Sequence, residues 1–436
     1  MSEAVWIRNA RVVDPVTGRD APGELFLRDG IFVDALSDAE KAAAQEVDAG
    51  GRVACPGFID LHCHLREPGD KHKETIASGS RAAAAGGFTT IVATSNTKPP
   101  VDNAGTLQLL KDAITRHAVV RVLPTGCLTV GRAGETLAPM GTLKNGGVYA
   151  VSDSGHCVQD NELMRRAVEY ARMCGLVVFD RPEDASQTAG CQMNEGTWSL
   201  RLGLRGMHSS AENVMLARDL IFSDHFDARI HLHSVSNRWA VDALKRSRSR
   251  NVPITADVTP HHLSLTDAAL ASYDTNFKTV PPLRDEHDRQ ALIAGLCDGT
   301  IDAIATAHAP HTVMEKDQEF DDAPFGVLGL ETALPMCLQT LVETGALGLP
   351  GMLACLTVRA ASVLGLPFGT LQLGASADVV LFDPQALWTV QRETLCSRSH
   401  NSPWLGQQLR GRVWRTYCRG QLVYDSERRE ALTTSE

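Results

Sequence analysis

A closed (β/α)8 barrel of the TIM type, flanked by a small β subdomain that both termini build together, is the fold the sequence predicts. Three observations predict it. Between residues 56 and 365, eight short apolar runs alternate with amphipathic helical stretches, the sequence form of parallel βα units. Short strands punctuated by turn signals fill residues 1–55 and recur over 366–436, and each set is too small to make a sheet alone. The first long apolar run leads straight into His62-Cys63-His64-Leu65-Arg66, a concentration of chemistry where a barrel of this kind carries its site.

Taken in order, Ala4 to Ile7, Arg11 to Val13, Leu25 to Arg28 and Ile31 to Val33 are predicted strands, with Asp14-Pro15 and Asp29-Gly30 as turns. Their expected partners are Asp378 to Phe382, Val413 to Arg419 and Gln421 to Tyr424. The eight predicted barrel strands are Val53 to Leu61, Thr89 to Thr94, Val119 to Thr125, Val148 to Ser152, Leu176 to Phe179, Arg229 to His233, Ile254 to Thr259 and Ile301 to Thr306. Between them the helices Thr75 to Ala85 and Glu162 to Cys174 end at Gly86-Gly87 and Gly175, as C-terminal glycines require. The domain division is thus 1–55 with 366–436 for the β subdomain and 56–365 for the barrel.

Composition narrows the function. A chain of 436 residues with 43% hydrophobic and 22% charged residues buries a large core. A net charge of −10, with an isoelectric point near 5.8, excludes nucleic acid or an anionic membrane as the main partner, because no basic excess exists to neutralise phosphates. The basic run Lys245 to Arg250 closes a predicted helix and reads as a solvated face. The eleven cysteines include no Cys-x-x-Cys pair, and a chain this large needs no disulfide staples, so they are expected to be reduced. No apolar stretch reaches the length of a membrane span and no signal-peptide pattern opens the chain, so a cytoplasmic location is expected.

The residues after each predicted strand carry the chemistry. His62 and His64, two apart on an extended backbone, point the same way and can share one ion. Asp153 follows the fourth run, and with the two histidines would complete a partial nitrogen and oxygen site for zinc or a similar divalent ion. Asn96 follows the second run, Arg181 the fifth, Ser234 the sixth, His261 and His262 the seventh, and His308 and His311 the eighth.

The segments Asp60 to Gly69, Met193 to Gly196, Thr255 to Leu263, Asp298 to Thr306 and Ala323 to Thr332 together resemble the class I dihydroorotases of the amidohydrolase superfamily, along nearly the whole chain. The resemblance implies a metal-containing barrel and the reversible cyclisation of N-carbamoyl-L-aspartate to dihydroorotate in pyrimidine synthesis. It implies His62, His64 and Asp153 as metal ligands, and His64, Arg66, Asn96, His311, Phe325 and Gly326 as substrate contacts. Asp153 and His311 are the candidates for catalysis. A planar cation and an amide donor at Arg66 and Asn96 suit a substrate carboxylate. The charged stretch from His311 to Phe325 is expected to be a mobile rim loop.

Four positions depart from the family pattern. Arg181 stands where the family has a histidine ligand, Ser234 replaces another, Val280 replaces a substrate-binding asparagine, and Ala307 replaces the aspartate that is both ligand and general base. Arginine is always protonated and cannot ligate a metal, and alanine can do neither task. His231 and His233, if the family register holds, face away from residue 234 towards the helices. The expectation is a homologue whose activity is impaired or silent, holding one zinc ion weakly or none, with Arg181 paired to Asp153 in place of metal charge. Silent relatives of this family serve as structural partners of aspartate carbamoyltransferase, which the resemblance makes the expected partner, together with self-association into a homo-oligomer. The alternative is an active dihydroorotase with a mononuclear site acting on dihydroorotate or N-carbamoyl-L-aspartate.

Overall fold

The eight barrel strands of the computed structural model, which describes residues 4–428, are Phe58–Cys63, Phe88–Ala93, Arg121–Gly126, Ala150–Val151, Val177–Asp180, Ile230–Leu232, Ile254–Val258 and Ala303–Ile304. Each pairs in parallel with the next in sequence. A parallel bridge between Cys63 and His308 closes the ring, with the His64 amide donating to the His308 carbonyl at 2.9 Å. The predicted fold is therefore the one observed.

Alternation along the strands sorts the residues into two layers. Ile59, Leu61, Val92, Leu123, Val177, Phe179, Ala303 and Ala305 fill the barrel interior and pack on Ala360, Ala361 and Val363 of the helix Val358–Leu364, which plugs one end. Val178, Ile230, Leu232, Ile254, Ala256, Val258 and Ile304 face outward into the main core shared with the surrounding helices. The predicted helix from Thr75 is Ile76–Ala85, capped by the Thr75 hydroxyl accepting from the Ser78 amide at 3.1 Å. The predicted helix from Glu162 is Asn161–Met173, capped by Asp160.

The first predicted run is divided between the two parts of the molecule. Val53–Pro56 belongs to the flanking sheet, pairing antiparallel with Val379–Thr389 and parallel with Ala4–Asp14, and only after Gly57 does the chain enter the barrel. That sheet continues through Arg19–Arg28 and Ile31–Val33 on one side, and through Gln408–Cys418 and Gln421–Asp425 on the other. One face buries Val5, Ile7, Val12, Leu27, Val379, Leu381 and Tyr417 in a core of its own, whereas Val380, Phe382 and Val413 join the barrel core. Contact between sheet and barrel is close at Gly87, where φ is +89° and a β-carbon would stand 2.8 Å from the Phe58 ring and 3.1 Å from Val380.

The basic run closing the helix Arg238–Arg248 is spent on surface pairs, among them Lys245 with Asp298 at 2.8 Å and Arg250 with Asp224. All eleven cysteines are free. Among the described residues, no helix is long and apolar enough to cross a membrane.

Candidate functional site at the carboxyl ends of the barrel strands

Residues at the mouth of the barrel fall into three groups. The first is His64, Thr94 and Asn96. The Thr94 hydroxyl donates to the Asn96 side-chain carbonyl at 2.7 Å, and His64 Nδ1 lies 3.0 Å from both Thr94 Oγ1 and Asn96 Oδ1. An Nδ1–H therefore donates to Asn96, which leaves Nε2 as the lone pair of a neutral ring. Burial first, and the Arg66 charge next, hold His64 well below the usual imidazole range.

The second group is Arg66, His311, Phe325 and Gly326. Arg66 donates from Nε to the Pro310 carbonyl at 3.2 Å, and its Nη2 lies 3.2 Å from His311 Nε2. That nitrogen also lies 3.0 Å from the Phe325 carbonyl, and burial together with the Arg66 charge pushes His311 down to about 3. The predicted substrate contacts Arg66, His311 and Phe325 are thus neighbours around a half-buried guanidinium that, among the described residues, pairs with no carboxylate. Asn401, from the C-terminal segment, holds this group in place. Its amide donates to the carbonyls of Ala309 at 2.9 Å and Gly326 at 3.1 Å, while its Oδ1 accepts from the His311 amide at 3.0 Å. Sequence reasoning missed Asn401, because nothing in a loop beyond residue 366 signals contact with the eighth strand.

The predicted rim loop is not free. Lys316 is buried and donates to the carbonyls of Thr275 and Pro324, each at 2.8 Å. Lys278 donates to the carbonyls of Phe320, Asp321 and Ala323, and lies 4.7 Å from the centre of the Phe325 ring. Buried ammonium groups need such partners. The two lysines fasten the segment onto the barrel, so the expectation of a mobile stretch is corrected.

The third group lies deeper and holds His62, His231, His233 and Asp257. Because Ile230 and Leu232 point outward, His231 and His233 point into the barrel, the reverse of the face expected from the family register. The strand stops at Leu232, and Ser234, with φ of +57°, lies beyond it, so alternation cannot be carried back from that residue. Asp257 Oδ2 lies 3.0 Å from His231 Nε2 and 2.6 Å from His233 Nδ1, and Oδ1 accepts from the Ser234 amide at 2.6 Å. The His62 ring stacks on His233 with centroids 4.4 Å apart and lies 5.0 Å from His64. Among the described residues, the one set of three or more histidine, cysteine, aspartate or glutamate side chains with donor atoms all within 4.8 Å of one another is His231, His233 and Asp257.

Asp153 is turned towards the third strand's loop. Its Oδ1 accepts from the amides of Leu128 at 2.9 Å and Thr129 at 3.0 Å, and Oδ2 accepts from the Thr129 hydroxyl. Burial raises the carboxyl above its ordinary range in spite of these bonds. It borders a cavity of about 280 Å³ together with Arg132, His156, Cys157, Arg181 and Glu183. Arg181 pairs with Glu183 and donates to the Gly155 carbonyl at 3.1 Å. The exchange of metal charge for an Arg181–Asp153 pair is therefore not formed. His308 and His262 are occupied structurally, the first 3.5 Å from the buried Glu74, the second between Thr259 and the Pro281 carbonyl.

Parallel strands whose carboxyl ends gather histidines, an arginine and aspartates around one mouth define a barrel of the amidohydrolase kind. Solved structures with this fold include the L-hydantoinase (dihydropyrimidinase) of Arthrobacter aurescens, with a TM-score of 0.85, 23% identity and coverage of 98% of this chain and 96% of that one. Another is the dihydropyrimidinase of Brevibacillus agri, with a TM-score of 0.83, 22% identity and the same coverage. At such identities the likeness concerns the fold. Residues 51–238 match the family model described as Dihydro-orotase-like. The dihydroorotase of Anaeromyxobacter dehalogenans is 44% identical over 431 residues, covering 98% of this chain and 99% of that protein, and that of Solibacter usitatus is 44% identical over 423 residues, covering 97% and 98%. The chain belongs to the dihydroorotase family.

Proposed function

We propose that this dihydroorotase-family chain has silent or strongly impaired hydrolytic activity and serves as a structural partner of aspartate carbamoyltransferase. The observation that carries the loss of activity is the joint state of the strand ends. Arg181, Ser234 and Ala307 stand where ligands and the general base are expected, and Arg181 adds a permanent cation near His62. Asp153 has three of its roughly four lone-pair positions filled by Leu128 and Thr129. His62, His64 and Asp153 alone therefore do not fit a hydrolytic zinc centre, and no catalytic step is assigned to one. Removing a general base costs about 10²–10⁴ in rate by itself. The partner follows from the resemblance to silent members of the family. The test is a dihydroorotate hydrolysis assay with metal analysis, and size exclusion with aspartate carbamoyltransferase from the same organism. Turnover on the order of 1–10³ s⁻¹, the ordinary enzymatic range, overturns the reading of activity, and separate elution overturns the partner.

A second reading, an active dihydroorotase with one metal ion, is favoured by the ordered rim. Among the described residues Arg66 has no carboxylate partner, and His64 and Asn96 are already joined, an arrangement ready for an anionic substrate such as N-carbamoyl-L-aspartate. The relatives' name, dihydroorotase, supports it too. On this reading a His62→Ala/His64→Ala double variant loses all turnover, and unchanged turnover rejects it.

A further inference from the structure

The deep group of His231, His233 and Asp257 has no part in the reactions considered above, and its chemistry is specific. We propose that these three side chains, next to the His62 ring, bind one borderline divalent cation, zinc foremost, inside the barrel, with neither His64 nor Asp153 among its ligands.

Two imidazole nitrogens and a carboxylate oxygen form a donor set that suits zinc, and their donor atoms already lie within 4.8 Å of one another. All three residues are at most 3% exposed. Asp257 is ionised there. Burial alone would raise its carboxyl, but His233 and His231 more than offset that and hold it well below the usual carboxylate range. Among the described residues its ion-pair partners are the two imidazoles, with no lysine or arginine. A buried carboxylate so placed gains much from a cation.

Two orphaned polar atoms mark the same place. His62 Nδ1 is buried without a hydrogen-bond partner on a ring stacked 4.4 Å from that of His233, and the buried Ser234 Oγ, next in sequence to His233, also has none. Buried polar atoms without partners are uncommon, and both belong to residues that touch the cluster, His62 through its ring and Ser234 through its amide.

Orientation is supplied as well. His231 Nδ1 lies 2.8 Å from Thr255 Oγ1, an outer hydrogen bond of the kind that fixes a metal-binding imidazole. A His231 that ligates through Nε2 carries its proton on Nδ1, towards Thr255. The 2.6 Å contact between His233 and Asp257 opens to about 3.3 Å, the spacing of two ligands about 2.0 Å from a tetrahedral ion. That is a small side-chain movement.

The experiment strips the full-length chain with a chelator and titrates it with Zn²⁺ against a chromophoric competitor. One equivalent is expected to bind. His231→Gln and Asp257→Asn should each weaken binding by about 100-fold or more, and His64→Ala/Asp153→Asn by no more than about 10-fold, the lower bound of what changes beyond the ligands cost. Absence of stoichiometric binding overturns the proposal, as does binding lost in His64→Ala/Asp153→Asn but kept in Asp257→Asn. Because replacing a buried, hydrogen-bonded side chain can unfold a chain, circular dichroism accompanies each variant. If both triad variants unfold, X-ray absorption of Zn²⁺ on His64→Ala/Asp153→Asn decides. At least two imidazoles in the first shell support the site, and fewer overturn it. Turnover is not a readout, so failure here is distinguishable from failure of the silent-enzyme reading.

Discussion

Restoring the groups that the family pattern leads one to expect is the sharpest test of the proposal that this chain is silent or strongly impaired. Ala307 has φ of +48°, a left-handed conformation in which aspartate is among the better tolerated residues, and Ser234, at φ of +57°, can take histidine for the same reason. The flanking structure is already fixed, since the Thr306 amide and hydroxyl donate to Asp60 at 2.7 and 2.6 Å whatever stands at 307. A general base is worth about 10²–10⁴ in rate, or about 2.7–5.5 kcal/mol of transition-state stabilisation. Ala307→Asp alone should add less than about tenfold, because groups that act as a unit are not additive and the Arg181 cation remains. The triple variant Arg181→His/Ser234→His/Ala307→Asp, supplied with zinc, should exceed the unaltered chain by about 10² or more in dihydroorotate hydrolysis. Steady-state assays with matched metal content make the comparison. If the unaltered chain already turns over within about tenfold of the triple variant, the argument from missing groups is wrong.

Three further outcomes follow from the packing. Lys316→Met should free the segment 312–325, seen as faster amide exchange there with little change at the barrel strands, because its two carbonyl contacts are local. Burial pushes Lys316 down to about 7 from 10.5, so between those values the unfolded chain holds a proton that the folded chain has released. Stability should then rise with pH across about 7–10.5, by up to about 1.4 kcal/mol per unit, and this component should vanish in Lys316→Met when denaturation is followed against pH. Arg284 donates to Ser236 Oγ, Asn194 Oδ1 and the Met207 carbonyl at 2.8–3.0 Å beside the buried Glu212, so Arg284→Met should cost about 3–5 kcal/mol and lower the melting temperature by about 3–6 °C in calorimetry.

The barrel was legible because its strands are buried on both faces and therefore read as short apolar runs with sharp ends. The inward histidines could have been read from their own strands. Ile230 and Leu232 alternate with His231 and His233, and Ile254, Ala256 and Val258 with Thr255 and Asp257, so two neighbouring parallel strands present polar side chains to one interior. Carrying the face back from Ser234 hid this, since a left-handed residue breaks the period. The rim loop misled for another reason. Charged residues usually mark solvated loops, yet Lys316 and Lys278 turn inward to carbonyls that no local pattern announces.

Asn401, 90 residues after His311, pins Ala309, His311 and Gly326, while Ser397 bonds Glu74 and the amides of Cys396 and Ser397 bond Glu331. The mouth of the barrel is thus latched by a strap that a ribosome delivers only after every barrel strand. Until residue 401 has emerged, a nascent chain can close its strands but cannot finish its entrance, and the order of synthesis becomes the order in which the pocket acquires its shape.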